Sequence, residues 1–225
     1  MKIRTTEQLI DKVAAEISWR RKELTDLRNI VQSSVVSRTR REAMTRAAVA
    51  LLYAHWEGFV KAVAEDYLEF VAMQRCKHSE LSGNMLAIVL RSKLNAAQIS
   101  KKIKTHLDVV DFFRDEMEGR CVLPYKSAVR TEANLSSTVL SEILRTLGFD
   151  ITEYEPKYHL IDHKLVERRN HIAHGLALDV SVDDYLELQD EVLSLMNLFR
   201  NQIENYAVAG HHLESSETAA PTSGV

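Results

Sequence analysis

Residues that interrupt helices are scarce in this chain. Its 225 residues include seven glycines and three prolines, which leave few turns and favour long helices. The two cysteines, Cys76 and Cys121, form neither a disulfide framework nor a cysteine metal pattern, which favours a reducing compartment. From these scarcities we expect a helical, cytoplasmic protein.

Long apolar stretches are also missing. No apolar run approaches the roughly 18 residues of a membrane-spanning helix, and the start M-K-I-R-T-T-E-Q lacks the apolar core of a secretion signal. The composition, 45% hydrophobic and 27% charged, is that of a globular domain. We therefore predict no membrane partner and no signal peptide.

Basic residues are slightly fewer than acidic ones, which gives a net charge of −3, and the two kinds of charge are unevenly distributed along the chain. Residues 1–112 contain 19 Lys and Arg against 13 Asp and Glu, whereas residues 113–225 contain 10 against 19. This asymmetry is compatible with a local basic groove or with attraction to a partner chain. Solvated helix faces explain any single charge cluster equally simply.

Apolar residues at helical spacing run through most of the chain and predict an all-α bundle. The longest stripe lies in a central helix over about 39–75, interrupted only by Gly58; its members are Leu52, Trp56, Phe59, Val63, Tyr67 and Phe70. We predict one domain over residues 1–208, comprising an N-terminal helix (1–35) and a core (39–206). Residues 209–225 are small and polar, which predicts a disordered tail.

The most distinctive segment is E-R-R-N-H-I-A-H-G, residues 167–175. An arginine binds phosphate with a planar fork of donors, and a histidine exchanges a proton near neutral pH. On a helix Asn170 and His174 share a face, whereas Arg169 and His174 point about 140° apart. Arg169 must therefore reach around its own helix or meet a second copy of the segment. Gly175 is suited to end the helix.

The reading R-N-x-x-A-H-G, late in a helical chain, resembles the HEPN superfamily, in which R-x-x-x-x-H marks metal-independent RNases. The segments H-W-E-G-F-V-K (55–61) and N-L-S-S-T-V-L (134–140) are similar to the prokaryotic HEPN branch associated with RiboL-PSP domains. The resemblance covers about residues 39–206. It implies a HEPN-type bundle with added helices and assigns catalysis to Arg169, Asn170 and His174.

The resemblance also implies a reaction and partners. His174 removes the proton from a ribose 2′-OH, Arg169 holds the phosphate, and the cut leaves a 2′,3′-cyclic phosphate. The implied partners are RNA, a second copy in a homodimer, and an antitoxin or immunity protein in a toxin or anti-phage system. One departure is Leu176, which stands where some HEPN toxins carry a tyrosine that an antitoxin modifies.

Four more residues are candidates for substrate binding: Glu57, Lys61, Arg168 and His171. Glu57 and Lys61 are also spaced for a purely structural ion pair within one helix. For His171 the favoured interpretation is a packed or helix-capping histidine.

Plainer interpretations of the motif remain open. Arg169 could form an ion pair with Glu167 or Asp162, and Asn170 with His174 could close the helix end. A zinc site from His159 and His163 with the motif histidines is disfavoured, because four turns of one helix separate these side chains too widely. The sequence thus predicts no metal and no cofactor. The non-enzymatic alternative is a helical RNA-binding or protein-interaction module of a defence system.

Overall fold

The described part of the chain is a helical bundle. The computed structural model describes residues 2–35, 37–100, 102–129 and 134–214, and within these ranges it contains helices and no β-strand. The helices are α1 (Thr6–Gln32), α2 (Arg38–Gln74), α3 (Gly83–Ile99), α4 (Ile103–Asp111), α5 (Tyr125–Ala128), α6 (Ser137–Leu147), α7 (Arg168–Ala173) and α8 (Val182–Ala209). The predicted all-α bundle with a long central helix is confirmed.

The three long helices α1, α2 and α8 pack against one another, and α2 is central because it also contacts α5, α6 and α7. The apolar stripe predicted for the central helix lies in the core: Leu52, Trp56, Phe59, Val63 and Tyr67 are fully buried, and Phe70 nearly so. Fully burying an apolar side chain contributes about 1.5–3 kcal/mol, so this stripe explains why α2 holds the bundle together.

The C-terminal end of the bundle extends further than the sequence indicates. α8 ends at Ala209, Gly210 turns in the left-handed conformation, and the chain then returns to the 3-10 turn His78–Glu80. His212 is buried against Phe70 with its carbonyl accepting from Ser82 N at 2.9 Å. The predicted disorder is therefore wrong for 209–214, because these residues bury an aromatic ring and form backbone hydrogen bonds. Residues 215–225 lie outside the described residues.

The segment before α7 is not a regular α-helix. It begins with a 3-10 turn (Glu155–Lys157), continues as a π-helix over Leu160–Glu167, and becomes α-helical only at Arg168. A π-helix bonds each residue to the fifth along the chain and therefore turns more slowly than an α-helix. Its buried residues are Leu160, Ile161, Leu165 and Val166, which anchor the segment to the core.

Candidate active site

The motif helix α7 ends as its sequence predicts. Gly175 adopts φ +71°, its N–H donates to Ile172 O at 3.1 Å, and Leu176 N–H donates to His171 O at 2.9 Å. This pair of bonds is a Schellman motif, in which a left-handed residue satisfies the last free carbonyls of a helix. His174 is therefore the C-cap residue, at the point where the chain leaves the helix.

Arg169 faces the central helix. Its guanidinium carbon lies 4.3 Å from the centroid of the Tyr53 ring, and its Nη2 lies 4.0 Å from Glu57 Oε2. Its Nη1 donates to Asn170 Oδ1 at 2.9 Å. The side chain keeps 25% of its surface exposed. Stacking on an aromatic ring and a carboxylate at its edge hold the guanidinium in place.

Tyr53 forms the support for this arginine. Its ring is buried, and its hydroxyl accepts from Leu135 N–H at 2.7 Å. Burial raises the pKa of the Tyr53 hydroxyl, with the Glu57 carboxylate acting in the same direction, so the ring stays neutral beneath the arginine. The core therefore positions Arg169 through a rigid aromatic side chain rather than through a flexible partner.

His174 is exposed, unlike Arg169. Its backbone N–H donates to Asn170 O at 3.0 Å, and within the described residues no hydrogen bond of its imidazole is found. The Asn170 side chain contacts Arg169 and not the imidazole. The chain thus has an arginine held against α2 and an exposed histidine at the end of the motif helix, an arrangement in which Asn170 orients the arginine.

The remaining predicted site residues lie near this motif. Glu57 is half-buried and is paired with Arg169 at 4.0 Å, whereas Lys61 is exposed one turn further along α2. Arg168 and His171 are half-buried on α7 itself. Glu57 thus belongs to the arginine cluster rather than to an ion pair with Lys61.

The alternative partners considered for Arg169 are engaged elsewhere. Glu167 Oε2 lies 3.0 Å from His163 Nδ1, and Asp162 accepts hydrogen bonds from the backbone N–H and the hydroxyl of Ser137. The rings of His159 and His163 lie 4.8 Å apart. Among the described residues, no group of three or more potential metal ligands is found.

A cleft beside the motif was not predicted from the sequence. It has a volume of about 510 Å³, and its lining includes Glu42 and Arg46 of α2, Ile172 of α7, and the loop from Gly175 to Asp179. One signal could have indicated it: Glu42, Arg46, Tyr53 and Glu57 follow helical spacing along a single face of α2. The other half of the cleft comes from far along the chain and has no local signature.

Comparison with known protein families shows the family to which the chain belongs. The sequence model of the MAE_28990-like HEPN family matches residues 9–210, from the first turns of α1 to the glycine that ends α8. The chain belongs to the HEPN superfamily. No curated protein and no solved structure matches it. The superfamily resemblance is confirmed, and the matched family carries a different name from the RiboL-PSP-associated branch that two segments resemble.

HEPN membership agrees with the fold, since the motif helix and the long α8 that follows it both fall within the matched span. Within the described residues, no helix combines the length and the apolar composition that a membrane span requires.

Proposed function

We propose that this HEPN protein is a metal-independent endoribonuclease acting as a toxin or anti-phage effector. The observation that carries the proposal is the pairing of a preorganised Arg169, stacked on Tyr53, with an exposed His174 at the end of the same short helix. These residues occupy the two ends of the R-x-x-x-x-H motif of the superfamily.

The chemistry needs no metal. The His174 imidazole removes the proton from a ribose 2′-OH, and the oxygen attacks the adjacent phosphorus. The P–O5′ bond breaks, which leaves a 2′,3′-cyclic phosphate, and the departing 5′ oxygen takes up a proton to give a 5′-OH end. Arg169 binds the phosphate and stabilises the charge that develops in the transition state. General base assistance of this kind contributes about 10²–10⁴-fold in rate.

A homodimer completes the site in this proposal. In one protomer Arg169 is turned towards α2, while His174 projects from the helix end into solvent. A second copy related by a two-fold axis brings its own arginine and histidine to the same phosphate, because a two-fold interface juxtaposes identical surfaces. Arg168, His171 and Lys61 then contribute charge to the flanking RNA, and Glu57 restrains Arg169.

The non-enzymatic alternative also has an observation in its favour. Arg169 already contacts Glu57 and Asn170 within the protomer, which would suit an arginine with a structural role. In that case the protein retains RNA or a defence partner without cleaving it.

One experiment separates the two functions. Wild-type protein, His174→Ala and His163→Ala are incubated with total RNA in excess chelator, and 2′,3′-cyclic ends are mapped. We expect wild type and His163→Ala to produce them and His174→Ala to lose at least about 100-fold of the activity. His163 is the matched control because it is an exposed histidine of the π-helix that precedes the motif.

Cleavage by His174→Ala at the wild-type rate would remove His174 from the mechanism. Retention of RNA on a filter without new cyclic ends in any variant would favour the binding module. Light scattering of wild type and His174→Ala tests the dimer separately, and we expect the substitution to leave it intact.

A further inference from the structure

The cleft next to the motif has a mixed lining that no step of the proposed cleavage uses. Its residues supply one guanidinium (Arg46), two carboxylates (Glu42 and Asp179) and aliphatic side chains that include Ile172 and Leu176. Its volume of about 510 Å³ falls in the range of small-molecule sites. The cleft begins at Gly175, the residue directly after His174.

The packing of α7 against α2 sets the position of the cleft. Arg169, at the start of α7, lies against Tyr53 and Glu57, whereas the end of α7 and the following loop lie against Arg46 and Glu42. The two helices therefore run in opposite directions. A strand held by the motif can continue along α2 towards its N-terminal end and enter the cleft.

The charges in the cleft favour a base over a phosphate. Glu42 is held by Arg38, whose Nε donates to Glu42 Oε1 at 2.8 Å, and Asp179 lies in the field of the same arginine. The carboxylates of Glu42 and Asp179 are hydrogen-bond acceptors, so a group that lies between them is best matched when it presents N–H donors. Arg46 remains suited to the phosphate of the same nucleotide.

The aliphatic side chains provide a surface for the face of a base. Leu176 keeps 54% of its surface exposed at the mouth of the cleft, and Ile172 lines it. Among the four RNA bases, guanine alone presents two adjacent donors, N1–H and N2–H, on its Watson–Crick edge. One carboxylate can accept both hydrogen bonds, which is the geometry that gives bidentate readout its selectivity.

We propose that this cleft binds a guanine nucleotide of single-stranded RNA next to the scissile phosphate. Asp179 accepts from N1–H and N2–H, Leu176 contacts the base, and Arg46 pairs with the phosphate. The inference rests on the proposed function for the identity of the ligand as RNA. It adds a base preference that the motif alone does not supply.

Binding tests the proposal without relying on cleavage. Full-length protein is titrated into fluorescent 2′-O-methyl heptanucleotides of uridine with G, inosine, A or C at the centre, which a 2′-OH mechanism cannot cut. We expect G to bind about ten-fold more tightly than A. Inosine, which lacks the N2 amino group, should lie between them.

Three substitutions assign this preference to residues. Asp179→Asn, which keeps the shape of the side chain, should bring the G-to-A ratio close to one. Asp11→Asn, an exposed acid on α1 near the opposite end of α2, is the matched control and should leave the ratio unchanged. Arg46→Ala should weaken all four ligands together and reduce the slope of log Kd against log salt by about one.

Two outcomes overturn the cleft proposal: equal affinity for all four heptamers, or a G preference that survives Asp179→Asn. Digestion of the 2′-OH versions in chelator keeps this failure distinct from that of the proposed function. A G preference without any cleavage would remove the endoribonuclease and retain the cleft. Cleavage at the same rate beside every base would remove the cleft proposal and retain the endoribonuclease.

Discussion

Two arginine clusters contact α2, one from α1 and one from α7, and they are built from similar residue types. Towards α1, Arg20 bonds to the backbone and carboxylate of Glu16, and its guanidinium lies 4.3 Å from the Trp19 ring. Towards α7, Arg169 stacks on Tyr53 at the same distance, beside Glu57. An arginine, a carboxylate and an aromatic ring thus occur twice in one molecule.

Access to solvent separates the clusters. The Arg20 side chain is 6% exposed and the Arg169 side chain 25% exposed. His55, on the Arg20 side, is buried with Nε2 3.2 Å from Glu23 Oε2, and burial lowers the pKa of its imidazole. His174, on the other side, is exposed. Residue types alone therefore do not identify a site, because an arginine and a histidine must be exposed to solvent to act on a ligand.

The largest expected contrast comes from removing each arginine. Arg20→Ala should lower the free energy of unfolding by about 3 kcal/mol, because it strips a largely buried ion pair of one partner. Arg169→Ala should change it by about 1 kcal/mol or less, since the pair is more exposed, but should lower RNA cleavage by about 10²–10³-fold. Urea unfolding and cleavage per folded molecule measure the two effects.

Folded Arg20→Ala that lost cleavage as severely as Arg169→Ala would contradict the different roles of the two arginines. Destabilisation by Arg169→Ala as strong as that by Arg20→Ala would also contradict them. Either result would make the two clusters functionally alike despite their different exposure.

The next expected effect is a pH dependence of stability that arises from Asp66, a residue of α2 near Lys12 of α1. Burial raises the pKa of Asp66 to about 6, although Lys12 lies 3.9 Å away and opposes the shift. Because the pKa of Asp66 in the folded protein is above the ordinary value of 3.8, protonation of this carboxyl favours the folded state. The stability that depends on this pKa shift is fully present below pH 3.8 and is lost as the pH rises towards 6. Asp66→Asn should therefore stabilise the protein by about 1–3 kcal/mol at pH 7.5 and by much less at pH 4.

Urea unfolding of wild type and Asp66→Asn at the two pH values measures this difference. Asp11→Asn, beside Lys12 on the exposed surface of α1, is the control and should show no such pH dependence. An equal effect of Asp66→Asn at both values would contradict the assignment.

The smallest contrast is between two glycines. Gly58 lies inside α2, where a Cβ would meet Arg20 Nη2 at an ordinary 3.4 Å. Gly58→Ala should therefore stabilise by about 0.5–1 kcal/mol through helix propensity. Gly175 has φ +71°, a conformation that strains alanine, so Gly175→Ala should destabilise by about 1–2 kcal/mol. Thermal unfolding measures both, and shifts of the same sign would contradict the structural roles.

Much of the fold follows from local sequence signals. The helical pattern predicts the ends of α2 to within one residue, and Gly175 ends α7 with positive φ, as expected. The position of the division between α3 and α4 does not follow from the local sequence. α3 ends at Ile99 with Ser100 as its C-cap, and no glycine or proline marks this end.

The site is less accessible to sequence reasoning, because its decisive contacts are not local. Tyr53 and Arg169 lie far apart in the chain, and helical spacing alone gives no reason to pair them. The angle of about 140° between Arg169 and His174 concerns α7 alone, which is α-helical. The side of α7 that faces α2 depends also on the preceding π-helix over Leu160–Glu167, whose pitch differs from that of an α-helix and which no residue pattern predicts.

The wide turns of Leu160–Glu167 make the orientation of the motif depend on residues outside it. Deleting one residue from that stretch would rotate the residues downstream about the helix axis without changing the sequence of the motif. Arg169 would then leave the Tyr53 ring. Two HEPN chains with identical motif letters can thus differ in activity through their spacing upstream, and alignments scored on the motif alone would group them together.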